Sequence, residues 1–108
     1  MEISQENRGG LTVVTLNGKL DTVSSPEVQA AVMAALESAD KGVVIDMAEV
    51  AYVSSAGLRV MLIGGKTAKA KAKTFRIAGL KPAVAEVFKM SGFDRLLEIH
   101  PDVAAAVG

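Results

Sequence analysis

The chain has no cysteine and no tryptophan, and among its 108 residues there are only one tyrosine, three phenylalanines, three prolines and one histidine. Without cysteine there is no disulfide framework, no thiolate zinc site and no cysteine nucleophile. The single histidine, His100, leaves no pair of imidazoles to hold a metal and only one imidazole base. The acidic residues are scattered and form no calcium-loop pattern. No apolar run approaches the roughly 18 residues of a membrane span, and segment 1–7 lacks the basic-then-apolar layout of a secretory signal. A soluble, cytoplasmic protein is therefore expected. Neither sign of charge is in excess, since twelve Lys+Arg balance twelve Asp+Glu. That balance argues against a general nucleic-acid binder, whose affinity rests on many cations neutralising phosphates.

What is present is apolar material in regular patterns. Half of the residues are hydrophobic, and the length suits one domain over residues 1–108. Residues 2–8 read as a short polar strand ending at Gly9-Gly10. Residues 11–16 are rich in β-branched side chains and close at the turn dipeptide Asn17-Gly18, which makes an edge hairpin. Ser24-Ser25-Pro26-Glu27 then supplies a helix start, and Val28, Ala31, Val32, Ala35, Leu36 and Ala39 share one face of that helix. Val43-Val44-Ile45 is an apolar run suited to a strand buried on both faces, with Asp46 a structural residue at its end. A second helix opens at Ser54-Ser55-Ala56-Gly57, with Leu58, Met61, Leu62, Gly65 and Ala68 inward. Its Gly64-Gly65 pair costs roughly 1 kcal/mol per glycine unless close packing needs it. Residues 74–78 form a strand, Pro82 starts a third helix with Val84, Val87 and Phe88 inward, and Gly92 ends it. Residues 96–99 form a last strand and 101–107 a small terminal helix. The order β-β-α-β-α-β-α-β-α implies an α/β fold with a mixed, mostly parallel sheet of four or five strands, an N-terminal hairpin and about four helices.

The chemistry concentrates where a buried strand leads, by a short connection, to two hydroxyls at a helix start. Backbone N–H groups are unsatisfied there and favour an anion. The plain reading is that Ser54 or Ser55 is an N-cap, worth about 1 kcal/mol. Two serines at one cap leave one hydroxyl free. A serine hydrolase is excluded on inventory: Ser-Ser-Ala-Gly lacks the Gly-x-Ser-x-Gly elbow, and His100, just before Pro101, reads as a loop or surface residue. No enzymatic activity and no cofactor or metal are expected.

These residues resemble a known family. Leu16-Asn17-Gly18-Lys19-Leu20-Asp21 is similar to the "L-x-G-x-L-D" of STAS domains, and specifically of stand-alone bacterial anti-sigma factor antagonists. Val44-Ile45-Asp46-Met47 followed by Val53-Ser54-Ser55-Ala56-Gly57-Leu58 is similar to that family's "(D/S)-S-x-G-L" signature. Phe88-Lys89-Met90-Ser91-Gly92-Phe93 resembles its third-helix ending. The resemblance spans nearly the whole chain and implies a STAS-like fold and partner switching. The unmodified protein would bind an anti-sigma factor that is also a serine kinase of the ATP-binding, histidine-kinase-like type, releasing a sigma factor. Phosphorylation would end that association, and a serine phosphatase would reset it. The register with Gly57-Leu58 implies Ser55 as the phosphoacceptor. Many members carry Asp just before that serine; this chain carries Ser54, so the alternative acceptor is Ser54. Asp21, Thr22, Ser54, Ser55, Gly57 and Leu58 are the implied partner-binding residues, with Asp21 read either as a polar contact to the kinase or as a turn residue. The same resemblance also covers docking subunits of stress-signalling scaffolds and of lipid-transport ATPase complexes, with no sigma-factor role.

The balanced total hides a polarity. No Asp or Glu occurs from Val50 to Ala85, a stretch holding Arg59, Lys66, Lys69, Lys71, Lys73, Arg76 and Lys81. Lys69, Lys71 and Lys73 suit the C-terminal end of the second helix, where cations are favoured, and read as a solvated helix end. The other reading is a docking patch for an acidic partner.

Overall fold

A computed structural model describes all of residues 1–108. Five strands and four helices follow one another as β1 (Glu2–Arg8), β2 (Leu11–Leu20), α1 (Ser25–Ser38), β3 (Gly42–Val53), α2 (Ser55–Ala70), β4 (Thr74–Ala78), α3 (Pro82–Met90), β5 (Glu98–His100) and α4 (Val103–Val107). A single turn of 3₁₀ helix, Phe93–Arg95, precedes β5. The strands lie in sequence order across one sheet. β1 pairs antiparallel with β2, and β2 through β5 run parallel. This is the expected mixed sheet with a hairpin at its edge.

Alternation along the strands sorts side chains onto two faces. Val14 and Leu16 of β2, Val43, Ile45 and Met47 of β3, and Phe75 and Ile77 of β4 enter the main core with Val28, Val32 and Leu36 of α1, Met61 of α2 and Phe88 of α3. The opposite face buries only Leu11, Val13, Val44 and Ala78 against Ala106 of the short α4. Small residues let the helices approach. A Cβ on Gly64 would come within 2.7 Å of the Phe75 ring, and one on Gly65 within 2.8 Å of Leu97, so the glycine pair is a packing requirement.

Several boundaries differ from those the sequence suggests. Asn17-Gly18 is not a turn: β2 runs on to Leu20, with shifts of register against β3 around these residues and Gly18 at φ +130°. β3 is likewise twelve residues long rather than three. Its second half pairs with Asn17–Leu20 after β4 has ended. Propensity misses this extension because alanine and glutamate are poor strand formers, and pairing with β2 at Glu49, Val50, Tyr52 and Val53 holds the segment extended. Asp46 therefore lies within the strand, where its Oδ1 accepts from the Ala48 N–H at 3.1 Å. In α2 the buried positions are Gly57, Leu58, Val60, Met61, Gly64 and Ala68, while Leu62 and Gly65 are half-buried. β5 begins only at Glu98, because Phe93–Arg95 coil into the 3₁₀ turn and leave Leu96 exposed. His100 is a half-buried strand residue, its Nε2 2.8 Å from Glu98 Oε2. Glu98 also pairs with Arg76. Its carboxyl is held below the usual range, chiefly by the His100 hydrogen bond.

The lysines at the end of α2 are only partly solvated. Lys73 Nζ donates to the Leu36 carbonyl at 2.6 Å and to that of Glu37 at 3.3 Å, filling acceptors left open at the end of α1. Lys71 Nζ lies 2.8 Å from Glu37 Oε2. These contacts join the ends of α1 and α2, and Lys69 stays exposed.

Gly42 fixes the start of β3. It sits at φ +152°, between Leu11 and Thr74 in the sheet, and a Cβ there would overlap the Thr74 backbone. Gly42→Ala is expected to cost about 3 kcal/mol or more, since strain and overpacking each contribute about 1–3. A thermal melt should show a fall of roughly 10 °C or more. A melting temperature within about 2 °C of the parent would refute this account of the strand start.

Candidate functional site

The site forms where the end of β2 meets the first turn of α2. The Ser54 N–H donates to the Leu20 carbonyl at 2.9 Å. Gly57 is buried against the same residue: a Cβ on it would lie 2.7 Å from both Leu20 Cγ and the Leu20 carbonyl, and 2.9 Å from Val53 Cγ2. Only a residue without a side chain lets these segments close. Leu58 is buried one position further on. Gly57 and Leu58 thus hold the corner from beneath, and Asp21, directly after Leu20, is carried to the mouth of α2.

The two serines have different tasks. Ser54 is the N-cap residue, extended at φ −93° and ψ 175°, and its Oγ accepts from the Gly57 N–H at 3.3 Å. Its carbonyl accepts the first helical bond, from the Leu58 N–H at 2.9 Å. Ser55, the first residue of the helix, is exposed and its hydroxyl makes no hydrogen bond. The first turn of α2 carries no acidic residue of its own, so its positive end has no counter-charge within the helix.

Asp21 folds its own turn. Its Oδ1 accepts from the N–H groups of Val23 and Ser24, each at 3.0 Å. Ser24 Oγ returns the bond by accepting from the Asp21 N–H at 3.0 Å and donates to the Lys19 carbonyl at 2.7 Å. Ser24 is therefore not the hydroxyl cap that Ser24-Ser25-Pro26 suggests, because its side chain is spent on the turn. The Asp21 carboxyl is held below its usual range, first by the Ser24 N–H, with desolvation opposing and the Ser24 hydroxyl, Val23 N–H and Lys19 assisting. Of the two readings of Asp21, the turn role is met by one carboxylate oxygen, and the other has no partner within the chain.

The rigid turn presents Thr22, which is exposed, and Val23, whose exposure of 89% is the highest of any large apolar residue. Tyr52, opposite Lys19 at the end of β3, is 52% exposed. Beside them a groove of about 490 Å³ runs between α1 and α2, lined by Thr22, Met33, Ala56, Arg59 and Val60 among others. Val23, Tyr52 and Arg59 were not among the residues singled out by motif. The only sequence signal for Val23 was an apolar side chain inside a polar turn. A second groove, of about 680 Å³, lies at the other end of α2 between Lys66, Lys69, Phe75 and Leu96. It shares no residue with the serine corner. No three His, Asp or Glu side chains converge on a point that could hold a metal ion. No helix is long and apolar enough to cross a membrane.

This architecture and corner define a class. The chain belongs to the STAS domain family, whose sequence model matches residues 2–106. It is 32% identical over 101 residues to BtrV of Bordetella bronchiseptica, covering 94% of this chain and 84% of that one. BtrV bears the name of an anti-sigma factor antagonist, and the chain belongs with that non-enzymatic branch of the family. Among solved structures, an anti-sigma factor antagonist of Thermotoga maritima matches with a TM-score of 0.89 at 15% identity, over 96% of this chain and 90% of that one. The phosphorylated form of the Bacillus cell fate determinant SpoIIAA matches with a TM-score of 0.72 at 19% identity, over 97% and 96%. At such identities the two structures speak for the fold.

The division between the serines has a direct consequence for stability. Ser54→Ala removes the cap and is expected to cost about 1 kcal/mol, or roughly 4–8 °C in a thermal melt. Ser55→Ala breaks no bond and should leave the melt unchanged; equal losses in both variants would contradict the assignment.

Asp21 adds a pH dependence of fixed sign. A carboxylate whose folded pKa lies below its unfolded value stabilises the protein above that unfolded value, about 3.9, and the contribution is lost as pH falls through the folded one. Asp21→Ala should therefore lower stability at neutral pH and flatten the loss of stability on acidification below about pH 4. An unchanged acid slope in denaturant titrations of the variant would show that Asp21 is not the group responsible.

Proposed function

We propose that the chain is a single partner-switching domain of the cytoplasm. In its unmodified form it binds an anti-sigma factor that is also a serine kinase, so that the sigma factor is set free. Ser55 is the switch. The kinase transfers the γ-phosphoryl group of ATP to the Ser55 Oγ: the new O–P bond forms as the β–γ bridge breaks, ADP leaves, and the hydroxyl proton passes to a base on the kinase. A serine phosphatase hydrolyses the ester and returns the protein to its binding form.

The observation that carries this reading is the exposed, unbonded hydroxyl of Ser55 at the N-terminus of α2, beside a neighbour already used as the cap. A phosphate adds about −1.5 to −2 charges at neutral pH, and the helix end favours an anion there by about 0.3–1 kcal/mol. The fold therefore accepts the group without rearrangement. In a docked interface the same dianion lacks a partner, which by analogy with other unpaired interface charges costs about 2–5 kcal/mol, or roughly 30- to 5,000-fold in affinity. Asp21, Thr22, Ser54 and Ser55 lie at this surface, while Gly57 and Leu58 set its shape from below. The name of BtrV supports the same class of partner.

Ser55→Ala should fold, bind the kinase and take no phosphate from it in the presence of ATP, as read by intact-mass spectrometry and a pull-down. Ser55→Asp should bind more weakly than the parent. Full phosphorylation of the Ser55→Ala protein would move the acceptor to Ser54. Capture of a transporter ATPase subunit in place of a kinase-like protein would favour the docking-subunit reading of this family.

A further inference from the structure

Arg59 lies four residues after Ser55 in α2, so both side chains leave the same face of the helix one turn apart, with Cβ atoms about 5–6 Å from each other. It is exposed and takes part in no ion pair. Nothing on its own helix competes for it, because α2 has no Asp or Glu. It is among the residues lining the groove between α1 and α2. The N–H groups of Ser55 and Ala56 are also free, since the bonds of this turn involve only Ser54, Gly57 and Leu58.

We infer that Arg59 is the intramolecular partner of a phosphate on Ser55, and that phosphorylation draws its guanidinium onto the phosphate oxygens. The inference rests on Ser55 as the phosphoacceptor. An anion four residues N-terminal to a cation is the favourable order for such a pair on a helix. The planar fork of a guanidinium matches two phosphate oxygens at once, which an ammonium does not. Modification thus changes two groups of the same surface together: it adds a dianion at the mouth of α2 and engages a cation that was free.

The test needs no kinase. Phosphoserine is installed genetically at position 55, and its second ionisation is followed by phosphorus NMR in the parent, Arg59→Gln and Arg59→Lys proteins. The other titratable groups on the elements that meet at this corner are Lys19 of β2 and Asp21 just after it, Glu27 in the first turn of α1 and Tyr52 of β3, and the α1 residues lining the groove are uncharged. They are the same in all three proteins. The ionisation midpoint should rise by about 0.2–0.4 unit in Arg59→Gln, with Arg59→Lys between it and the parent. In the parent, the Arg59 Nε–Hε resonance should also shift on phosphorylation. Midpoints in parent and Arg59→Gln agreeing within about 0.1 unit would overturn the inference. Because the phosphate is placed by translation, that failure removes only the role of Arg59. Failure of a kinase to modify Ser55, with the midpoint shift of the installed phosphate intact, removes the acceptor assignment and with it the biological role of a pairing that the geometry still forms.

Discussion

The contact between Leu20 and the first turn of α2 organises the functional end of the molecule. One backbone hydrogen bond, from Ser54 to the Leu20 carbonyl, and one close approach, of Gly57 to the same residue, bring the end of β2 against a helix start. Leu20 can reach that position only because β2 and β3 both continue beyond the span of β4 and pair with each other there. The long β3 then delivers Ser54 at the tip of the sheet. Two loops distant in sequence become one surface as a result.

Around that contact the polar groups divide their work economically. Ser24 and one oxygen of Asp21 are consumed in the β2–α1 turn, and Ser54 is consumed in the cap. What stays unspent is the Ser55 hydroxyl, the exposed Val23 and the Arg59 guanidinium. A binding surface needs rigid support and free groups at the same place, and here the supporting bonds lie immediately beneath the free ones. The far end of the molecule serves stability: Lys71 and Lys73 tie α2 to α1, and Arg76, Glu98 and His100 form a paired cluster at the β4–β5 edge.

Much of this was legible in the residues. The β-branched run of 11–16, the helical spacing from Val28 to Ala39 and the proline starts of α1 and α3 carry local physics strong enough to identify the elements. Ser54-Ser55-Ala56-Gly57 announces a capped helix and one spare hydroxyl. The residues least well read were those whose state depends on a distant partner. Asn17-Gly18 has the composition of a turn but is held in a strand by β3. Ser24 has the chemistry of a cap but is drawn into a turn by Lys19 and Asp21. Lys73 resembles a solvated charge until the open carbonyls of α1 are found beside it.

The sequence by itself determined the order of elements, the mixed parallel sheet, the family and the serine pair, because periodicity, capping and turn chemistry act over a few residues. Only the tertiary structure decided which serine is free. Both hydroxyls are competent to cap, and the choice is set by the β2–α2 contact that holds Ser54 extended and leaves Ser55 in the first helical position. It also decided that Arg59 stands unpaired on the same face. The fold thereby located the part of the surface where these unpaired groups meet.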